Sequence, residues 1–174
     1  MVWFYDAVNS IRDFLELGGD VLYAIMAVVF LMWTLILERL YFYYQVHPGE
    51  KAAIVNAWDE RADTSSWYAK RIREQLISQV SVALKRNVGM IKALIAICPL
   101  LGLLGTVTGM ISVFDVMTFS GSGNARAMAA GVSKATVPTM AGMVAAVSGV
   151  FFGTWLEHKA ATETEKLEDL LHHH

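Results

Sequence analysis

Residues 93–114 (ALIAICPLLGLLGTVTGMISVF) and 135–156 (ATVPTMAGMVAAVSGVFFGTWL) decide the fold of this chain. Each stretch has 22 residues and no charged side chain. At about 1.5 Å per residue, a helix of this length reaches roughly 33 Å, which is enough to cross the hydrocarbon core of a bilayer. Both stretches are therefore predicted to be transmembrane helices.

Small residues recur every three or four positions along both predicted spans. In lipid there is little hydrophobic drive between helices, so close approach over small residues is the usual way to pack them. Three spans bury little of such stripes within one protomer, so we expect other copies of the chain to cover them. The predicted packing residues are Gly102, Gly105 and Gly109 in one span and Gly142, Ala146, Gly149 and Gly153 in the other.

Two motifs inside these spans carry a family likeness. Residues 101–110 (LGLLGTVTGM) contain Gly-Thr-Val-x-Gly, and residues 134–147 (KATVPTMAGMVAAV) contain Pro-Thr-x-x-Gly-x-Val-Ala-Ala. In this pair of motifs the chain resembles the ExbB/TolQ/MotA proton-channel family, and its ExbB branch in particular. The resemblance implies an inner-membrane motor subunit, in a ring that is typically a pentamer, around an ExbD-type partner with a protonatable aspartate. It also implies a TonB-type protein that is energised for transport across the outer membrane.

Composition narrows the class of protein. Hydrophobic residues make up 55% of the chain and charged residues 17%, so apolar spans must alternate with polar segments. The single cysteine, Cys98, lies inside a span and predicts neither an intrachain disulfide nor a metal cluster. His47 and His158 are isolated, so we expect no enzyme, no metal and no cofactor. Nothing supports nucleic-acid binding. The terminal histidines 172–174 resemble the start of a purification tag and are set aside, a native run being the alternative.

The N-terminal residues 1–19 are predicted to form an amphipathic helix that lies on the periplasmic surface of the membrane, because apolar residues such as Val8 and Ile11 share one face. Gly18 and Gly19 are predicted to end it. The first transmembrane helix is predicted over residues 20–44, with aromatic residues 41–44 at the membrane edge. Glu38 is read as the carboxylate near this span, and its neighbour Arg39 favours a snorkelling ion pair over a proton carrier.

A cytoplasmic helical region is predicted over residues 45–92. Residues 47–49 (HPG) should break the first span's helix, and residues 50–61 should form a short helix. Ser65 and Ser66 are candidate caps for a second helix, which has no proline or glycine until Gly89 and should run on into the second span. Its basic residues form either a patch for anionic lipid or a partner, or an ordinary solvated face: Lys70, Arg71, Arg73, Lys85 and Arg86.

The distribution of Lys and Arg predicts the orientation. Nine of these residues lie between positions 38 and 92, and two lie after position 156, whereas Arg12 stands alone in the N-terminal segment and Arg126 alone in the loop between the later spans. The positive-inside rule then places the N-terminus in the periplasm and the tail in the cytoplasm. The predicted fold is an all-α membrane protein of three transmembrane helices with a helical cytoplasmic extension. The remaining boundaries are a second span at 93–119, a periplasmic turn at 120–126, a third span at 127–157 and a cytoplasmic tail at 158–174.

Thr106 and Thr139 are hydroxyl groups near the middle of their spans, flanked by small residues. Each can order water or hydrogen-bond a partner's protonatable group, or can simply bond the carbonyl one turn back in its own helix. By the resemblance, they match the threonines that face the pore. We therefore predict that both line the proton pathway.

The chain departs from the family at Lys134, where ExbB proteins usually carry an acidic residue five positions before the second threonine. Lys134 either pairs with Asp115, since both lie near the outer ends of their spans, or snorkels outward. Neither apolar stretch contains Asp, Glu or His, so the chain cannot form a proton relay alone. The alternatives to an ExbB-like subunit are a TolQ-like envelope-maintenance subunit, a MotA-like stator subunit and, in another class, a self-contained membrane transporter.

Overall fold

In the computed structural model of the chain, residues 2–61, 63, 66–120 and 125–171 are described, except the side chains of residues 2–4, 14, 17 and 120. All regular secondary structure in this part of the chain is helical. Within the described residues, three stretches are long and apolar enough to cross a membrane, namely Gly18–Asp59, Trp67–Phe119 and Ala125–Leu170. This finding confirms the prediction of an all-α chain with three spans. The helices are α1 (Val2–Tyr41), a π-helical turn (Phe42–Val46), α2 (His47–Asp59), α3 (Trp67–Lys85), α4 (Val88–Ser120) and α5 (Ala125–Leu170).

The chain divides into two compact units, and α1, α4 and α5 contribute to both. The first unit comprises Met1–Met32 and Ala93–Gly149, and the second comprises Trp33–Lys92 and Val150–His174. Of the periplasmic turn predicted at 120–126, residues 121–124 lie outside the described residues, as do the terminal histidines 172–174, while Ser120 ends α4 and residues 125–126 begin α5.

In the first unit, α1 is two helices joined at a kink. Gly19 has φ 66° and ψ −164°, which is left-handed backbone that a residue with a Cβ adopts only with strain. The kink confirms the predicted end of the N-terminal helix at Gly18 and Gly19. It also lets the first span begin in a new direction.

The small-residue stripes of α4 and α5 face each other within one protomer. A Cβ added to Gly102 would lie 3.0 Å from Thr139 Cα, and one added to Gly109 would lie 2.5 Å from Ala135 Cα. Neither position has room for a side chain. The inference that other copies must cover these stripes was therefore wrong, because the glycines let two helices of the same chain approach. Apolar side chains on the exposed face of α4 remain uncovered in the protomer: Leu100, Leu103, Leu104, Val107, Ile111 and Phe114.

Gly142 and Gly149 of α5 make further close contacts, with α4 and with α1. A Cβ on Gly142 would lie 2.5 Å from the Cys98 carbonyl oxygen, and one on Gly149 would lie 2.7 Å from Met32 Sδ. Cys98 is buried in a small core with Ala146 and its neighbours. The remaining small residue, Gly153, is buried in the second unit.

In the second unit, a π-helical turn replaces the break predicted at residues 47–49. The His47 N–H donates to the Phe42 carbonyl, which is the i to i−5 bond of a widened turn. Pro48 then falls in the first turn of α2, where a missing N–H costs little. The predicted break was wrong, because the π-helical turn leads directly into α2 and Pro48 lies where its missing N–H is tolerated.

The junction between α3 and α4 is a second departure from the prediction. Ser66 caps α3, as predicted, by accepting a hydrogen bond from the Ala69 N–H at 3.2 Å, while Ser65 lies outside the described residues. The predicted continuous helix from α3 into the second span is wrong, because α3 ends at Lys85 and α4 begins at Val88. Asn87 makes the break with φ 62°, a left-handed conformation that asparagine tolerates better than most residues.

Two side chains from the end of the first span satisfy the carbonyls that this break leaves open. Arg39 Nη1 donates to the Ala83 carbonyl at 3.0 Å, and the Tyr43 hydroxyl donates to the Leu84 carbonyl at 2.8 Å. Arg39 also holds Glu38 through its Nε and Nη2 atoms, at 2.8 and 2.6 Å, which confirms that ion pair. Arg39 does not snorkel, however, because it is 3% exposed. The end of α3 is thus capped from outside its own helix.

We predict that Tyr43→Phe lowers the free energy of unfolding by about 1 kcal/mol, because it leaves the buried Leu84 carbonyl without its donor. Unfolding by SDS titration in mixed micelles measures the change. Tyr44→Phe is the matched control, since Tyr44 is 66% exposed and Tyr43 is 5% exposed. Equal stability of the two variants would contradict the capping role of Tyr43.

The glycine contacts give a second prediction. Gly142→Ala should lower the free energy of unfolding by about 1–3 kcal/mol, because the new methyl group meets the backbone of α4. Gly89→Ala, the control, adds a methyl with no atom within 4 Å and should be neutral or stabilise by up to about 1 kcal/mol. The same SDS titration compares them, and an unchanged stability of the Gly142 variant would show that the two helices separate easily.

Candidate functional site

The hydroxyl groups of Thr106 on α4 and Thr139 on α5 meet inside the first unit. Their Oγ1 atoms hydrogen-bond each other. Both also reach the Gly102 carbonyl, Thr106 at 3.3 Å and Thr139 at 2.9 Å. Since a hydroxyl can donate and accept, either threonine can give its proton to the other or to this carbonyl. We call these two threonines and the Gly102 carbonyl the hydroxyl cluster.

Glycine is the reason that the hydroxyl cluster can form. Gly102 lies against the backbone of Thr139, and Gly105 faces the ring of Pro138. A side chain at either glycine would push α5 away from α4, and the two hydroxyls would no longer meet. Thr106 follows Gly105 in α4, and Thr139 in α5 lies against Gly102 of α4. Each threonine is therefore next to a glycine that allows the two helices to approach.

The sequence left two interpretations of these threonines open: a hydrogen bond to the carbonyl one turn back in the same helix, or a hydrogen bond to another group. Thr106 does bond the carbonyl one turn back in its own helix, as the ordinary interpretation requires. Thr139 instead bonds a carbonyl of the other helix. Both side chains are only half-buried, so part of each is open at the protomer's surface.

A polar cavity of about 260 Å³ adjoins this region of the first unit. Hydroxyls of Thr108 and Ser112 line it on α4, and the charged side chains Asp20 and Lys134 line it as well. Gly105 belongs both to this cavity and to the contact with α5. The cavity is large enough for several water molecules and offers them hydrogen-bonding groups.

The structure does not join Asp115 to Lys134. Among the ion pairs of the described residues, none within 4.0 Å links these two, and both side chains are exposed. The Cε atom of Lys134 instead lies 3.6 Å from the place where a Cβ on Gly19 would be. Lys134 thus lies against the kink in α1.

Sequence reasoning missed Asp20 by treating Glu38 as the carboxylate near the first span. Asp20 directly follows Gly19 at the start of the second part of α1, where a carboxylate suits the exposed N–H groups of a helix. That position was readable from the sequence. That it lines the same cavity as Lys134 was not, because only the packing of α1 against the later helices brings both residues to that cavity.

Within the described residues, no group of three or more His, Cys, Asp or Glu side chains could hold a metal ion. The geometry of the first unit instead offers hydroxyls, a carbonyl and a polar cavity. Such groups can order water and hydrogen-bond an ionisable group, but they contain no nucleophile and base arranged for catalysis.

Comparison with known proteins places this geometry in a family. The sequence model of the MotA/TolQ/ExbB proton channel family matches residues 46–169. Two curated relatives come from Synechocystis sp. The biopolymer transport protein ExbB-like 1 is 40% identical over 67 residues, which cover 37% of this chain and 26% of that protein. ExbB-like 3 is 37% identical over 71 residues, which cover 40% of this chain and 34% of that protein.

The chain thus spans about a quarter to a third of the length of these relatives. No solved structure matches it. The family match is far longer than either alignment, and it includes α4, most of α5 and both threonines of the hydroxyl cluster. The chain therefore belongs to the MotA/TolQ/ExbB proton channel family.

Proposed function

We propose that this protein is an ExbB-like subunit of an inner-membrane motor that conducts protons together with an ExbD-type partner. In this role it uses the proton motive force to energise a TonB-type protein for transport across the outer membrane. The observation that carries the proposal is the hydroxyl cluster, two threonines that share one backbone carbonyl within two apolar stretches that contain no Asp, Glu, His, Lys or Arg.

The absence of Asp, Glu and His from residues 93–114 and 135–156 assigns the titrating group to the partner. An aspartate that changes protonation in low dielectric needs neighbours for both of its states. A threonine hydroxyl can donate to the ionised form and accept from the protonated form, which lowers the cost of the charge. Thr106 and Thr139 are the residues of this chain that fit that task.

Water access to such a group is supported by the polar cavity. Its lining of hydroxyls and two charged side chains can hold water close to Gly105, one residue from Thr106 in the chain. We propose that this cavity is the chain's outer entrance to the proton pathway. Lys134 and Asp20 then act on the entering proton through their charges, and a pair between Lys134 and Asp115 is not needed.

The proposal includes a homo-oligomeric ring, with five copies as the family resemblance implies. The glycine stripes are used within the protomer, so the ring rests on the exposed apolar side chains of α4 and α5. Such side chains face either lipid or another copy. On α5 the exposed apolar side chains include Met140, Met143, Val144, Val147, Val150 and Phe151.

The proposed orientation puts the N-terminus in the periplasm and the tail in the cytoplasm, on the strength of the nine Lys and Arg residues between positions 38 and 92. A TolQ-like or MotA-like role uses the same helices and remains the alternative within the family. A self-contained transporter predicts an ionisable group at the middle of the membrane. Neither apolar stretch 93–114 nor 135–156 contains Asp, Glu, His, Lys or Arg.

We predict that Thr106→Val and Thr139→Val each reduce proton-gradient-dependent uptake, and that together they reduce it by roughly tenfold or more. Valine keeps the shape but removes the hydroxyl, so helix packing persists while the polar group is lost. The measurement is growth on an iron source that enters through an outer-membrane receptor, with the membrane level of each variant determined in parallel.

Two controls sharpen this test. Thr106→Ser and Thr139→Ser retain the hydroxyl and should retain uptake. Thr136→Val removes an exposed hydroxyl that bonds the Ser133 carbonyl of its own helix at 3.0 Å, and it should behave like the unmodified protein. Undiminished growth with valine at both cluster positions would mean that these hydroxyls only bond neighbouring carbonyls and that protons take another route.

The ring gives a separate prediction. Native mass spectrometry of the protein in mild detergent should show one dominant multimer of the 174-residue chain, because the apolar faces of α4 and α5 need a cover. A monomer as the dominant species under these conditions would rule out the ring while leaving the family assignment intact.

A further inference from the structure

A cavity of about 570 Å³ lies in the second unit between α2, with its π-helical turn, and the last turns of α5. His47 lines this cavity and is only 4% exposed. Its Nε2 atom lies 3.5 Å from Glu163 Oε2, which is too long for a good hydrogen bond, and it has no other hydrogen-bond partner. A buried polar atom without a partner is costly. His47 therefore lines the cavity with a ring whose buried Nε2 atom lacks a hydrogen-bond partner.

The charges around the cavity favour an anion. Lys51 and Lys159 line it together with Glu163. Glu163 already accepts a hydrogen bond from Lys166 at 2.9 Å, and Lys51 lies farther away, at 3.6 Å. The ammonium group of Lys159 lies 6.0 Å from the centre of the Trp155 ring, and no ion pair among the described residues gives it a carboxylate. One carboxylate thus faces more positive charge than it can neutralise.

The position of the cavity points to the membrane as the source of that anion. Tyr43 and Tyr44 line it and belong to the aromatic run that ends the first span. Val55 and Leu170 add apolar surface to the lining. A ligand with a negatively charged head and an apolar body would satisfy both kinds of surface. Basic pockets at the ends of transmembrane helices are known to bind such lipid headgroups.

We propose that this cavity binds the phosphate group of an anionic phospholipid, with Lys51 and Lys159 supplying charge and His47 Nε2 supplying a hydrogen bond. The phosphate lies among these three groups, and the glycerol and first acyl carbons lie against Tyr44 and Val55. The site differs from the basic residues of α3, of which Arg71 is already paired with Glu74 at 3.0 Å. A soluble phosphate has the same charge but no apolar body to fill the remaining lining.

The test uses the full-length protein in nanodiscs of phosphatidylcholine with or without phosphatidylglycerol. Native mass spectrometry counts the phosphatidylglycerol molecules that each protomer keeps after release. We expect the unmodified protein to retain phosphatidylglycerol in preference to phosphatidylcholine. Lys51→Gln combined with Lys159→Gln should weaken retention by about tenfold or more, because each lysine near a membrane surface contributes to anionic-lipid binding.

The matched control is Lys70→Gln combined with Lys85→Gln, which removes two positive charges from exposed positions of α3 and should leave retention unchanged. Lys51→Arg combined with Lys159→Arg keeps the charge and should also retain the lipid, which separates loss of charge from loss of fold. Equal loss in the α3 control would show general surface attraction and overturn the proposal. So would equal retention of the two lipids, or protection from thermal unfolding by inorganic phosphate or glycerol phosphate that matches the effect of the lipid.

Discussion

The close contact of two helix backbones over glycine is the constraint on which the first unit depends. In a bilayer the surrounding lipid is as apolar as the helices, so packing must come from short van der Waals contacts and from hydrogen bonds between helices. Gly102 supplies both, since it has no side chain to hold α5 away and its carbonyl accepts a hydrogen bond from Thr139. The contact that holds the protomer together and the contact that forms the hydroxyl cluster are therefore the same.

The second unit depends on the satisfaction of backbone carbonyls where α3 ends. A helix end leaves carbonyls without donors, and in a buried setting these need side chains from elsewhere. Arg39 and Tyr43 donate hydrogen bonds to the carbonyls at the end of α3, and both side chains are buried. His47 is as buried as they are, yet its Nε2 atom has no partner. Trp58 and Arg73 in the same unit also hold a buried nitrogen without a partner, but unlike them His47 lines the cavity, which is the reason to regard that cavity as a binding site rather than a packing fault.

The proposed function divides the chemistry between two proteins. In that proposal this chain contributes hydroxyls, a carbonyl and a polar cavity, and the partner contributes the titrating carboxylate, since residues 93–114 and 135–156 contain none. Under this proposal, the contact between α4 and α5 holds the two hydroxyls in fixed positions beside a carboxylate of another chain. Asp20 and Lys134 add charged groups to the lining of the cavity, and both lie outside the two apolar stretches in sequence.

The sequence by itself determined the three spans, the kink at Gly19, the cap at Ser66 and the choice of Thr106 and Thr139. Each depends on a local property, such as a run of apolar residues, a glycine that allows left-handed backbone or a hydroxyl at the start of a helix. Only the tertiary structure decided what the glycine stripes face, because spacing shows that a face is narrow but not which helix lies against it. The same holds for the π-helical turn that absorbs Pro48, for the break at Asn87 and for His47 beside Glu163. Each of these is fixed by partners distant in the chain or by cooperative choices of hydrogen-bond register, which a local reading of residues cannot supply.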